Sequence, residues 1–346
     1  MQLKKSEELE VKRKATIHFL RHYGHNNKNY KSWVVLAAPA YGDKNYLRVY
    51  MNGGKVGKIA LKDNKLTNGI NSRRYSNKHK GIVPNIVNTF SQGSEIERLK
   101  ALTEPEYLHY AEQATTVYSS KTTDSSDTER TIETLIMDIN NQKFGNAAID
   151  MEMQYSIKDH FGWTRIKEKG HTYLSEMQYR GKTWFNEFNF KNLTDTKSSR
   201  IDLMVLNEDG IGFVELKVNN ENCGNLDSHI NHMNYILSHK EKFLHDAERR
   251  VEVLLKYDLL EREMERNLDE WKKTKNIWCG ILFVGKQEHL AGTKEMIKKQ
   301  LESLKDGIKC AFVDSDIVYK GELNLSKDVF VLPRHFVEES FKGLFK

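Results

Sequence analysis

The stretch SRIDLMVLNEDGIGFVELKV, residues 199–218, decides how this chain is read. Two apolar runs, Arg200 to Leu206 and Gly212 to Val218, flank Asp209-Gly210, and such runs around a turn dipeptide predict two antiparallel strands joined by a hairpin. If Asp209 and Gly210 are the turn residues, paired positions sum to 419 and Asp202 faces Lys217. A four-residue loop, Asn207 to Gly210, makes the sum 417 and sets Asp202 opposite Glu215. In either register Asp202, Glu215 and Lys217 share one face, because strand side chains repeat every two residues.

The remainder of both strands is apolar on both sides: Ile201, Leu203 and Val205 alternate with Met204 and Leu206, and Val214, Leu216 and Val218 lie opposite Glu215 and Lys217. Strands of this kind are central and covered. Two carboxylates converging in such surroundings repel and lose hydration, which is costly unless a cation compensates. Oxygen ligands favour Mg2+ or Mn2+ over zinc. Lys217 is then placed to orient a water or to neutralise charge developing on a phosphate. The competing reading is a structural hairpin whose acid and lysine form an ion pair at a sheet edge.

Outward from this hairpin, the pattern predicts a helix over Leu226 to Lys242, a strand over Ile277 to Val284, a helix over Thr293 to Leu304 and a strand over Lys309 to Val313. Upstream it predicts helices over Glu129 to Ile139 and from Ala147 to about His160, and a strand over Trp184 to Phe190. Asp246 to Lys273, with Leu254, Leu255, Leu259 and Leu260 in a helical stripe, reads as an inserted helical arm. Near the N-terminus a short helix over residues 15–24 precedes strands at Trp33 to Ala38, Tyr46 to Met51 and Lys55 to Leu61. Asn52-Gly53-Gly54 is a strong hairpin signal between the last two. A helix through Pro105 to Gln113 is followed by Thr115 to Thr128, with nine Ser/Thr in fourteen residues, which reads as a linker. The expected organisation is a smaller basic, β-containing domain over 1–113, a linker over 114–128, and an α/β domain over 129–346 carrying the insertion 246–273.

Composition narrows the class. With 38% hydrophobic and 29% charged residues the chain is polar yet able to bury a core, which argues against disorder. No run of 18 apolar residues occurs and the first residues are charged, so the expectation is a cytoplasmic protein with no membrane span. Three cysteines in no paired spacing, Cys223, Cys279 and Cys310, predict neither a disulfide framework nor a zinc ribbon. The net charge of +6 is polarised: residues 1–100 hold 20 Lys/Arg and 7 Asp/Glu, a net of +13, leaving −7 for the rest. Lys62, Lys65, Arg73, Arg74, Lys78 and Lys80 stand near a single acid, Asp63, and form the best candidate for gripping a phosphate backbone. The segment Gly280 to Lys286 has the spacing of a phosphate-binding loop, but its middle is an apolar strand and Gln287 stands where Ser or Thr is needed.

Asp202 followed by Glu215-Leu216-Lys217 resembles the signature of the PD-(D/E)xK nuclease superfamily, and the element order over roughly 146–313 is similar to that family's core. The family's leading Pro is replaced by Ile201. The resemblance implies a restriction-endonuclease-like mixed sheet flanked by helices. It implies that Asp202, Glu215 and the Leu216 carbonyl bind Mg2+ or Mn2+, and that Lys217 positions the attacking water. A Glu on the first core helix is matched by Glu152, with Glu176 and Glu187 as weaker alternatives. His229 and His232, on the polar face of the helix after Lys217, are expected to contact phosphate or a metal-bound water. The expected function is metal-dependent hydrolysis of phosphodiesters, with DNA preferred over RNA, endonuclease over exonuclease cleavage, and a role in restriction or antiviral defence. A homodimer or a partner protein would fit relatives that cut both strands. The alternatives are a non-catalytic nucleic-acid-binding protein with a nuclease-like fold and a ligand-activated RNase effector.

Overall fold

The structure is a computed structural model describing residues 5–23, 34–38, 46–61, 93–119, 125–143, 147–156, 163–168, 171–176, 198–218, 226–260, 264–286, 308–325 and 329–330. Its centre is a mixed five-stranded sheet built from β4 (Ala147–Ser156), β7 (Ser198–Asn207), β8 (Gly210–Val218), β9 (Ile277–Gly285) and β10 (Ile308–Asp314), in the order β10-β9-β8-β7-β4. Strands β8, β9 and β10 run parallel, and β7 is antiparallel to both of its neighbours. A separate antiparallel sheet holds β1 (Val34–Ala37), β2 (Tyr46–Met51) and β3 (Gly54–Ala60), and β5 (Trp163–Glu168) pairs with β6 (His171–Glu176).

The chain is thus a mixed α/β protein whose main sheet carries helices on both faces. On one face α4 (Ser125–Lys143) seats Ile132, Ile136 and Met137 against Leu203, Val205, Val214 and Leu216. Helix α8 (Ser315–Lys320) adds Val318 to the same core. On the other face lie α5 (Leu226–Ser238), α6 (Lys240–Lys256) and α7 (Glu265–Thr274), whose Ile230, Met233, Phe243 and Trp271 join a core with Met204, Leu206, Phe213 and Ile281. Around the smaller sheet are α1 (Lys5–Arg21), α2 (Glu95–Ala101) and α3 (Pro105–Ser119). Asn52 and Gly53, both with positive φ, make the β2–β3 turn that Asn-Gly favours, since primed turns match strand twist. No helix among the described residues is long and apolar enough to cross a membrane.

Several expectations need correction. Residues 147–156, expected as a helix, form β4, because Ile149, Met151 and Met153 alternate as well as they stripe and the segment pairs with β7 along its length. Tertiary pairing overrides the helix propensity of Ala, Met and Glu. Most of the expected linker is helical: α3 continues to Ser119 and α4 begins at Ser125. The helix expected over 15–24 is α1, which begins at Lys5. The helix expected over Leu226 to Lys242 breaks at His239, whose φ of −126° and ψ of 39° are not helical. The stretch 246–273 is no protruding arm: Asp246, Ala247, Arg250, Val251, Leu254, Leu268 and Trp271 are buried, although Leu255 is exposed. The strand expected at Trp184 to Phe190, the helix at Thr293 to Leu304 and Cys223 lie outside the described residues.

Candidate active site

The hairpin register is the 417 one. Leu206 pairs with Ile211 and Leu203 with Val214, so the ladder places Asp202 opposite Glu215; Asn207 pairs with Gly210, so the turn is Glu208-Asp209, neither the Asp209-Gly210 turn nor the four-residue loop expected. The Leu216 N–H donates to Asp202 Oδ2 at 2.7 Å, which orients the aspartate across the strand pair. Glu215 and Lys217 are buried near the C-terminal end of β8, and Asp202 is half-buried.

Lys217 Nζ donates to Glu215 Oε1 and to the Leu216 carbonyl, each at 3.1 Å, and lies 3.7 Å from Glu129 Oε1. His229 Nδ1 is 2.6 Å from Glu215 Oε1. Three strand residues are therefore joined by one side chain from each flanking layer, Glu129 from α4 and His229 from α5. Each is about a quarter exposed.

Three carboxylates against one lysine and one histidine leave the electrostatics unbalanced. Burial, and then the Glu215 charge, push the Asp202 carboxyl well above the usual carboxylate range. Burial would raise Glu215 as well, but the charges of His229 and Lys217 and their hydrogen bonds outweigh it and hold Glu215 down to about 2. Burial opposes a charge on Lys217, yet the three surrounding carboxylates raise its affinity for the proton above normal. Glu129 is raised, first by burial, with the Lys217 charge opposing. Its Oε1 is buried and accepts no hydrogen bond among the described residues.

Asp202, Glu215 and Lys217 are brought together as the hairpin predicts, and His229 joins them through Glu215. Glu152 does not occupy the first-core-helix position: it lies on β4, and its side chain is outside the described residues. The helical glutamate of the cluster is Glu129. The signal for it was present, since 129, 132 and 136 share one helical stripe and an acid on an otherwise apolar stripe is out of place. Burial holds His232 down to about 4, so near neutrality it carries no charge to offer a phosphate. Lys62, Lys65, Arg73, Arg74, Lys78 and Lys80 lie outside the described residues.

Among the described residues no three His, Cys, Asp or Glu side chains are gathered at ligand spacing. The donor chemistry nevertheless fits a hard divalent cation: Asp202, Glu215 and the Leu216 carbonyl offer only oxygen, and the cluster has carboxylate charge to spare. No family model, curated protein or solved structure matches the chain.

Proposed function

We propose that this protein is a metal-dependent nuclease of the PD-(D/E)xK type, hydrolysing phosphodiesters with Mg2+ or Mn2+, on DNA before RNA and by internal cleavage. The observation that carries the reading is Asp202 set opposite Glu215, with Lys217 on the same face bonded both to Glu215 and to the Leu216 carbonyl. A five-stranded mixed sheet flanked by helices, with a helix on each face contributing to the cluster, is consistent with it.

Asp202, Glu215 and the Leu216 carbonyl would hold the ion, which when bound supplies Lewis-acid stabilisation of a phosphoryl oxygen and a more acidic water. Lys217, surrounded by carboxylates, stays protonated near neutrality, so it acts as a hydrogen-bond donor and a fixed positive charge rather than as a base. It is placed to orient the attacking water and to meet charge developing on the phosphate. Glu129, with raised proton affinity and an oxygen that accepts no hydrogen bond, is the group suited to take the water's proton. His229 holds the Glu215 carboxylate in place.

The test is cleavage of supercoiled plasmid, linear duplex, single-stranded DNA and RNA with Mg2+, Mn2+ or EDTA. Metal-dependent cutting should fall by about 10^2-fold to 10^3-fold or more in Asp202→Ala and in Lys217→Ala. Cutting that survives both substitutions places the chemistry elsewhere. Binding of nucleic acid without cutting under any of these conditions favours a non-catalytic protein built on the same fold.

A further inference from the structure

Outside the carboxylate cluster, α1 ends in a pair of histidines. His18 and His22 stand four apart, a spacing that sets side chains one above the other on a single helical face, and His22 directly follows the last helical residue, Arg21. Both side chains belong to exposed residues, and their ring centres lie 4.4 Å apart with the planes tilted by 46°.

The two imidazoles are held differently. His22 Nδ1 lies 2.8 Å from the His18 carbonyl oxygen, which can only accept, so Nδ1 carries the proton and the neutral ring has its lone pair on Nε2. Ligating histidines are held in the same way, the nitrogen that does not bind the ion donating to a carbonyl or carboxylate. Among the described residues, His22 Nε2 and both ring nitrogens of His18 enter no hydrogen bond or ion pair. Adjacent turns therefore present imidazole nitrogens to solvent side by side. An ion bonded at about 2.0–2.1 Å to each of two nitrogens spans up to about 4 Å, which rings centred 4.4 Å apart reach by rotating.

The surroundings accept a cation. The carbonyls of the last helical turn are the negative end of the α1 dipole. Arg21, on the same turn, is directed at Asp258, donating to its carbonyl and lying 3.9 Å from its carboxylate. Lys14, one turn before His18, opposes a metal ion, but it is exposed and screened by solvent and salt.

We propose that His18 and His22 chelate a transition-metal ion of the class that imidazole prefers, Zn2+ or Cu2+, with water in the remaining positions. Among the described residues no third His, Cys, Asp or Glu joins the pair, so the site is open and its ion exchangeable. The bound ion ties the residue after α1 to the turn before it and closes the end of the helix. This site does not rest on the nuclease reading, and its donors differ from those of the strand cluster, whose oxygens suit Mg2+ or Mn2+.

The test is calorimetric titration of the untagged full chain with Zn2+ in excess Mg2+, which occupies the oxygen cluster. The expected result is a Zn2+ equivalent whose binding weakens by at least about tenfold in His18→Ala and in His22→Ala. It should be unchanged in Asp202→Ala and in His245→Ala, which removes an exposed histidine of α6. Without metal both α1 variants should melt with the wild type, and Zn2+ should raise the melting temperature of the wild type alone. Absence of Zn2+ binding by the wild type, or equal affinity in the wild type and either α1 variant, overturns the chelate. An equivalent lost in Asp202→Ala instead also overturns it and assigns the ion to the strand cluster.

Discussion

Arg48, Asp150, Arg250 and Asp246 form one buried charged cluster, and Asp202, Glu215, Glu129, Lys217 and His229 form another, and the two are balanced differently. In the first, both oxygens of Asp150 are engaged: Oδ1 accepts from the Ala38 and Met151 N–H groups and from Arg48, and Oδ2 accepts from Arg250. Arg250 Nε donates to Asp246 at 2.8 Å, and Arg48 also donates to the Ala38 and Met151 carbonyls. Two cations meet two anions, and the result fastens the small sheet, β4 and α6 to one another. In the second cluster, three carboxylates face one lysine and one histidine, Glu129 Oε1 accepts no hydrogen bond among the described residues, and Asp202 resists ionising. A saturated network serves cohesion, whereas a cluster left rich in carboxylate is what the proposed cation site requires.

The largest expected effect tests the cohesive half of this contrast. Asp150→Ala leaves Arg48 and Arg250 buried without their shared carboxylate, and stability should fall by about 3–5 kcal/mol, read as a shift in denaturant midpoint. A loss below about 1 kcal/mol would show that the first cluster holds nothing together.

A smaller effect is expected on the side of the second cluster. Glu129→Gln and His229→Ala should each lower metal-dependent cleavage about 10-fold to 100-fold, with denaturant midpoints close to wild type. Loss of stability without loss of cleavage would make these residues structural and erase the distinction between the clusters.

The smallest effect is one of pH. The Asp202 carboxyl is raised in the folded protein above its usual 3.8, so its contribution to stability is complete below that pH and is lost as pH rises through the folded value. Asp202→Asn cannot ionise, and in EDTA it should therefore melt higher than wild type near neutrality, with the advantage shrinking towards pH 4. Glu215 carries the opposite sign: held at about 2 against a usual 4.5, it stabilises the fold above 4.5 and loses that contribution as pH falls towards 2. Glu215→Gln should accordingly melt lower near neutrality. If both variants move the melting temperature in the same direction, the imbalance assigned to the cluster is wrong.

Much of the site was legible from one strand pair. Period-two alternation sets Asp202, Glu215 and Lys217 on one face whatever the turn, and the apolar flanks mark both strands as covered. The turn itself was ambiguous, and a contact distant in sequence accompanies the observed register: Gly210, with φ of +106°, backs against the Asn276 carbonyl, which also accepts the Ile211 N–H at 3.1 Å. Residues 147–156 read as a helix from their apolar spacing, and pairing with β7 makes them a strand instead. Asp246 and Arg250, four apart in the stretch that reads as an inserted arm, are both buried, with Asp150 from β4 completing the pair.

The sequence alone therefore determined the β7–β8 hairpin, the shared face of its three polar residues, the Asn52-Gly53 turn and the existence of the two strands that follow, since each is written in side-chain periodicity or turn chemistry within a few residues. Tertiary structure decided which glutamate and which histidine complete the cluster, which helices cover the sheet, and which charges are buried as a neutral network. Local pattern specifies the face a side chain occupies; only the packing of distant segments specifies what that face meets.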